Sequence, residues 1–119
     1  MLRLHPDYLK QFPNQAPIDK EMVNVRKFTT WLEGHPEVDM GLFNCLVVDV
    51  EGKELEAIRS FGEHLKGFQM LNIELSGEPT YYYGPMAKTV VRYLKEMGFD
   101  QDSPIEPHND VMFIRRDVK

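Results

Sequence analysis

The chain has one cysteine in 119 residues, so no disulfide can form within it. Cys45 lies inside an apolar run, which predicts a small, inert core residue and not a nucleophile. No two of the eight glycines, Gly34, Gly41, Gly52, Gly62, Gly67, Gly77, Gly84 and Gly98, form a Gly-x-Gly step. No close backbone approach to a nucleotide-type cofactor is therefore encoded. There is no Gly-x-Ser-x-Gly elbow and no Walker loop. His5, His35, His64 and His108 show no zinc-site spacing and read as surface residues. A net charge of −5 argues against nucleic acid, because phosphate binding needs a basic face. No apolar run approaches the ~20 residues of a membrane span, and Met1 to Lys10 contain no signal-peptide core. Together these absences point to a soluble, cytoplasmic protein with no membrane or nucleic-acid partner. The length suits one domain, and no internal repeat or low-complexity segment interrupts it.

The most informative stretch is Leu46-Val47-Val48-Asp49-Val50-Glu51-Gly52-Lys53-Glu54-Leu55. Its apolar first half reads as a strand, Leu42 to Val50, buried on both faces as in a parallel sheet. It then turns at Gly52 and enters a helix whose apolar face is Leu55, Ile58, Phe61 and Leu65. Gly62 weakens or ends that helix, and Gly67 marks its exit. Phe68 to Leu75 reads as the next strand, so the unit is strand, helix, parallel strand.

The flanks are simpler. Residues 1–21 read as an arm with one helical turn around Asp7 to Gln11. Val23 to Phe28 alternate and suggest a short half-exposed strand. Thr29 or Thr30 is placed to cap the turn that follows, with Trp31 and Leu32 inward. Pro85 opens a helix carrying Met86, Val90, Val91, Leu94 and Met97 on one face. Gly98 fits the left-handed position after it, with Phe99 starting a short strand. Val111 to Ile114 is a last strand, and 117–119 is a polar tail. The domain proper is expected at 22–116.

In open α/β sheets, ligands bind beyond the carboxyl ends of the strands. Asp49 and Glu51 point to one face if the strand continues through them. Parallel topology brings Glu74 beside them, and Glu54 follows in the first helical turn. Four carboxylates on one edge suit a hard cation or a general base for a substrate hydroxyl. A purely structural alternative has Glu51 and Glu54 complementing the helix dipole while Asp49 bonds turn amides. Tyr81, Tyr82 and Tyr83 follow the Glu74 strand. They either wall a substrate pocket over the same edge or pack beneath their own loop or at a subunit contact.

Asp49-Val50-Glu51-Gly52-Lys53-Glu54-Leu55-Glu56-Ala57-Ile58 resembles the Asp-Val-Glu-Gly-x-Glu-Leu-x-x-Leu signature of FkbM-type S-adenosylmethionine-dependent methyltransferases. Val23-Asn24-Val25, Asn72-Ile73-Glu74, Tyr82-Tyr83-Gly84, Leu94 to Phe99 and Val111-Met112-Phe113 resemble family elements in the same order. The resemblance runs from about residue 20 to residue 116. It implies a partial Rossmann-like α/β fold, equivalent to the C-terminal half of a class I methyltransferase. The sheet would be mostly parallel, with the last strand antiparallel. It also implies S-adenosylmethionine as cofactor and a small-molecule hydroxyl acceptor, often a sugar or a polyketide-like compound. Asp49 and Glu74 become catalytic candidates, and Glu51 and Tyr81 to Tyr83 substrate-binding candidates. The chain departs from the family at Lys27-Phe28-Thr29-Thr30-Trp31, where Thr-Leu-Asp is usual, at Val47, where Lys or Trp is frequent, and in lacking the Gly-rich turn.

The expectation is an acceptor half without a cofactor-binding half, hence weak or absent cofactor binding and no activity alone. A homo-oligomer or a partner supplying the missing half would complete it. A non-catalytic remnant that oligomerises or binds a partner is the rival reading. A metal-assisted hydrolase using the carboxylates is a third.

Overall fold

Four segments have both the β-rich chemistry and the neighbours to make a sheet: β1 (Cys45–Val48), β2 (Met70–Glu74), β3 (Phe99–Gln101) and β4 (Asp110–Arg115). They lie in the order β1-β2-β4-β3 in a computed structural model that describes residues 3–75, 87–106 and 109–118. β1 and β2 are parallel, from Cys45 opposite Met70 to Val48 opposite Ile73. β2 and β4 are antiparallel, from Met70 opposite Ile114 to Glu74 opposite Asp110. β3 also runs antiparallel to β4. The last strand is thus opposed to the other three, as expected. The sheet is nevertheless not mostly parallel by pairing, because β4 inserts between β2 and β3 and makes both of its contacts antiparallel.

The parallel pair is joined by α3 (Glu54–Ser60) and a 3-10 helix at Gly62–Gly67. Glu54 and Glu56 sit in the first turn of α3 and Arg59 in the last, matching the helix dipole. Gly62 adopts φ +55°, a left-handed value that ends the α-helix and starts the tighter one. Ile58 and Leu65 are fully buried, and Leu55 and Phe61 pack partly buried against the same core. α4 (Ala87–Glu96) buries Val90 and Leu94 completely. Gly98 at φ +94° then turns the chain into buried Phe99, and its N–H donates to Lys95 O at 3.2 Å. The expected start of α4 at Pro85 and Met86 lies outside the described residues.

Among the described residues, helices cover only one face of the sheet. The buried strand residues are Val48, Leu71, Ile73, Phe99, Val111 and Phe113, and the register puts all of them on the same side. β1, α3 and β2, then β2, α4 and β3, cross the sheet in the same direction. Crossovers of one hand therefore place both helices on one face. On the other side Cys45 and Val47 are exposed, and Met70, Asn72, Met112 and Ile114 are half-buried. The Cα extents of 44 × 34 × 18 Å fit this thin, two-layer arrangement. The expectation that β1 is buried on both faces, with Cys45 in the core, is therefore overturned. No helix among the described residues packs on the second face, which leaves Cys45 and Val47 exposed there.

Three other expectations also fail. Val23 to Phe28 makes no strand, because no described strand pairs with it. Residues 21–27 belong to no element and Phe28 instead begins α2 (Phe28–Glu33). Aromatic packing decides that outcome: Phe28 stacks on Phe61 at 4.1 Å between ring centroids, and Trp31 on His35 at 4.1 Å. Neither threonine caps α2. The cap position is Lys27, whose side chain makes no capping bond, and Trp31 is 38% exposed. Upstream of β1, Met40–Leu42 is a 3-10 helix and not strand. The helical turn expected in the arm is present as α1 (Pro6–Gln11), capped by His5.

Candidate active site

β1 stops at Val48, so Asp49 and Glu51 do not share the face of one continuous strand. The chain turns instead. Glu51 has φ +52° and Gly52 φ +94°. A left-handed glutamate costs roughly 1 kcal/mol, so something must hold it. Glu54 does this. Its Oε1 accepts from Gly52 N at 2.9 Å and from Val50 N at 3.4 Å, and the residue is only 4% exposed. Among the described residues no Lys or Arg pairs with it; Lys53 pairs with Glu56 instead. The carboxylate that ties down the turn amides is therefore Glu54 and not Asp49. Here the structural alternative was right in kind and wrong in residue.

With the turn held, the acids converge. Carboxylate oxygens of Asp49, Glu51 and Glu74 all lie within 4.8 Å of one another. Asp49 and Glu51 are exposed and Glu74 is half-buried. Glu74 arrives from the end of β2, one residue beyond the last parallel pair, as the strand-helix-strand topology requires. Burial pushes its carboxyl up to about 7, reinforced by the charge of Asp49, a hydrogen bond to Asp49, and the charges of Glu51 and Glu54. The negative charge of Asp49 and Glu51 beside it favours the protonated form of Glu74. The three oxygens also match the ligand type of a hard cation.

Asn72 and Asp110 extend this edge. Asn72 lies two residues before Glu74 on the same sheet face, and its Nδ2 donates to Asp110 Oδ2 at 2.7 Å. Asp110 stands opposite Glu74 in the ladder. Nothing local signals that Asp110 belongs here, because its position depends on the pairing of β2 with a strand about 40 residues later in the chain. Tyr81, Tyr82 and Tyr83 lie outside the described residues.

The edge therefore carries one carboxyl, Glu74, raised to about 7 beside two solvent-exposed carboxylates. A group of this kind can take a proton from a bound hydroxyl. No helix among the described residues is long and apolar enough to cross a membrane. No curated protein and no solved structure gives a significant match to the chain. The methyltransferase FkbM domain matches residues 7–100, from the first helix to β3 and short of β4. That span includes Asp49, Glu51, Glu54 and Glu74 and covers most of the 119 residues; the chain belongs to the FkbM methyltransferase family.

Proposed function

We propose that the chain is the acceptor-side half of an FkbM-type O-methyltransferase. In this reading Asp49 and Glu74 form the general-base pair and Glu51 lines the acceptor site. The observation that carries it is the convergence of three carboxylates beyond the ends of two parallel strands, where α/β folds hold their ligands. When Glu74 has lost its proton, its carboxylate accepts the proton of an acceptor hydroxyl, leaving an oxygen nucleophile. A base with a pKa near 7 balances availability against proton affinity at physiological pH. Several carboxylates also favour a polyhydroxyl ligand, whose O–H groups donate to them.

The experiment is ligand-observed NMR with a panel of sugars and hydroxyl-bearing polyketide-like acids, using the wild-type chain, Asp49→Asn and Glu74→Gln. At least one hydroxyl ligand is expected to bind the wild-type chain, with affinity reduced about tenfold in each variant. Binding unchanged in both variants would remove these residues from the acceptor site.

S-adenosylmethionine is the methyl donor that the family suggests. The turn after β1 offers it no open cradle, since Glu54 occupies the Val50 and Gly52 amides. Glu51 and Asp49 would also repel the donor's carboxylate. We infer that donor binding needs elements that this chain does not supply, and no step above passes through the donor. Calorimetry on the purified chain should accordingly show no micromolar affinity for S-adenosylmethionine. A micromolar Kd would overturn the division into donor and acceptor halves while leaving the acceptor site to be judged by the NMR experiment.

A further inference from the structure

β1 ends the sheet, and among the described residues nothing pairs with its outer edge. In a parallel pair, alternate residues of a strand turn their backbone groups toward the neighbour. Cys45 is in register with Met70, and Asn44 O accepts from Met70 N at 3.1 Å. The groups facing β2 therefore belong to Asn44, Leu46 and Val48, and those of Cys45 and Val47 face outward. Val47 is 64% exposed. Natural edges are usually blunted by charge or proline. β3 at the far edge is short and carries Asp100, held by Arg116 at 2.9 Å. The Cys-Leu-Val-Val of β1 has neither protection.

The same chain holds a segment with strand chemistry and no strand. Met22 is 97% exposed, Val23 69% and Val25 87%, alternating with Asn24 and Arg26. Three apolar side chains within four residues form an open strip, the kind of surface that suits a contact. The segment closes on Arg26-Lys27, an adjacent basic pair in a chain of net charge −5. β1 runs into Asp49, Glu51 and the neighbouring Glu74. Set parallel, with Val23 beside Cys45 and Val25 beside Val47, the segment brings Lys27 beside Asp49. Set antiparallel, it carries both cations to the Asn44 end, away from the acids.

We propose that residues 22–27 of one copy add as a parallel strand to the β1 edge of a second copy, and that the exchange is mutual. Among the described residues of one copy neither surface has a partner, so the segment does not cover its own edge. Mutual exchange closes at two copies, whereas one-way exchange would propagate into fibres. Each acidic site then receives Lys27 from the other copy. This inference is independent of the acceptor-site reading.

Sedimentation equilibrium across a concentration series tests it. The wild-type chain is expected to form dimers. Val25→Asp changes a side chain that is 87% exposed, so it leaves the monomer folded, and it should weaken dimerisation at least tenfold. Val47→Pro removes an outward N–H and should do the same. The two variants mixed should regain a dimer, one supplying the edge and the other the segment. The single Cys45 reports register. With a short bismaleimide, Val23→Cys should give covalent dimers in preference to Lys27→Cys. Preference for Lys27→Cys would overturn the parallel register, and linkage within one copy would overturn the exchange. A wild-type chain that stays monomeric throughout, or a dimer indifferent to Val25→Asp, would overturn the whole proposal.

Discussion

Glu54→Ala should lower stability by about 2–4 kcal/mol, since each hydrogen bond to a charged group contributes roughly 1.5–3 kcal/mol. The substitution removes the oxygen that accepts from Gly52 N and Val50 N. The amide of Gly52, a buried residue, then loses that partner. The methylene lost from a residue only 4% exposed adds a small packing cost. Glu54→Gln keeps an acceptor oxygen and should recover more than half the loss. Urea melts of the three proteins check this. A Glu54→Ala variant within about 0.5 kcal/mol of wild type would show that the turn is held by something else. The effect reaches function as well, because the turn at Glu51 and Gly52 aims the acids. Glu54→Ala should therefore also weaken hydroxyl-ligand binding without touching the ligand.

The wild-type chain should be less stable at pH 8 than at pH 5, by an amount that Glu74→Gln abolishes. The carboxyl of Glu74 is pushed up from 4.5 to about 7, first by burial and then by Asp49, Glu51 and Glu54. A raised carboxyl binds its proton more tightly folded than unfolded. Below pH 4.5 both states hold the proton and there is no differential. Between 4.5 and about 7 the unfolded chain releases the proton first, so stability falls as pH rises. Above 7 the full penalty persists. Solvent reaches the half-buried site and reduces it to the order of 1–2 kcal/mol. Glu74→Gln has no charge to bury and should be the more stable protein at pH 8. Denaturant melts at both pH values decide the matter, and parallel pH profiles for the two proteins would sink it. Loss of stability at a carboxyl pair, tolerated in the native sequence, is the pattern expected of a site kept for chemistry.

The local levels of this structure were legible in the chain itself. α3 and α4 follow from apolar spacing, their ends from Gly62 and Gly98, and the parallel β1–β2 pair from a strand-helix-strand order that leaves little topological choice. The meeting of Asp49, Glu51 and Glu74 follows from the same order, since parallel strands end on one edge. Val23 to Val25 shows where such reasoning stops. Alternation describes a surface suited to a sheet, but a strand exists only where a neighbour accepts its hydrogen bonds, and the described residues provide none.

Tertiary structure alone decided the rest. Burial of β1 on both faces required a second helical layer, and the sequence of one segment cannot report what covers it. The insertion of β4 between β2 and β3, and with it Asp110 opposite Glu74, rests on pairing between distant strands whose register no local pattern records. The role of Glu54 depended on a turn with two left-handed residues in succession, which brings one carboxylate within reach of two amides. The signature Asp-Val-Glu-Gly-Lys-Glu pointed to the family, and the strand-helix-strand order around it to the acidic edge. Which acid binds the turn and which carboxylates meet Glu74 depend on distances that only the folded chain sets.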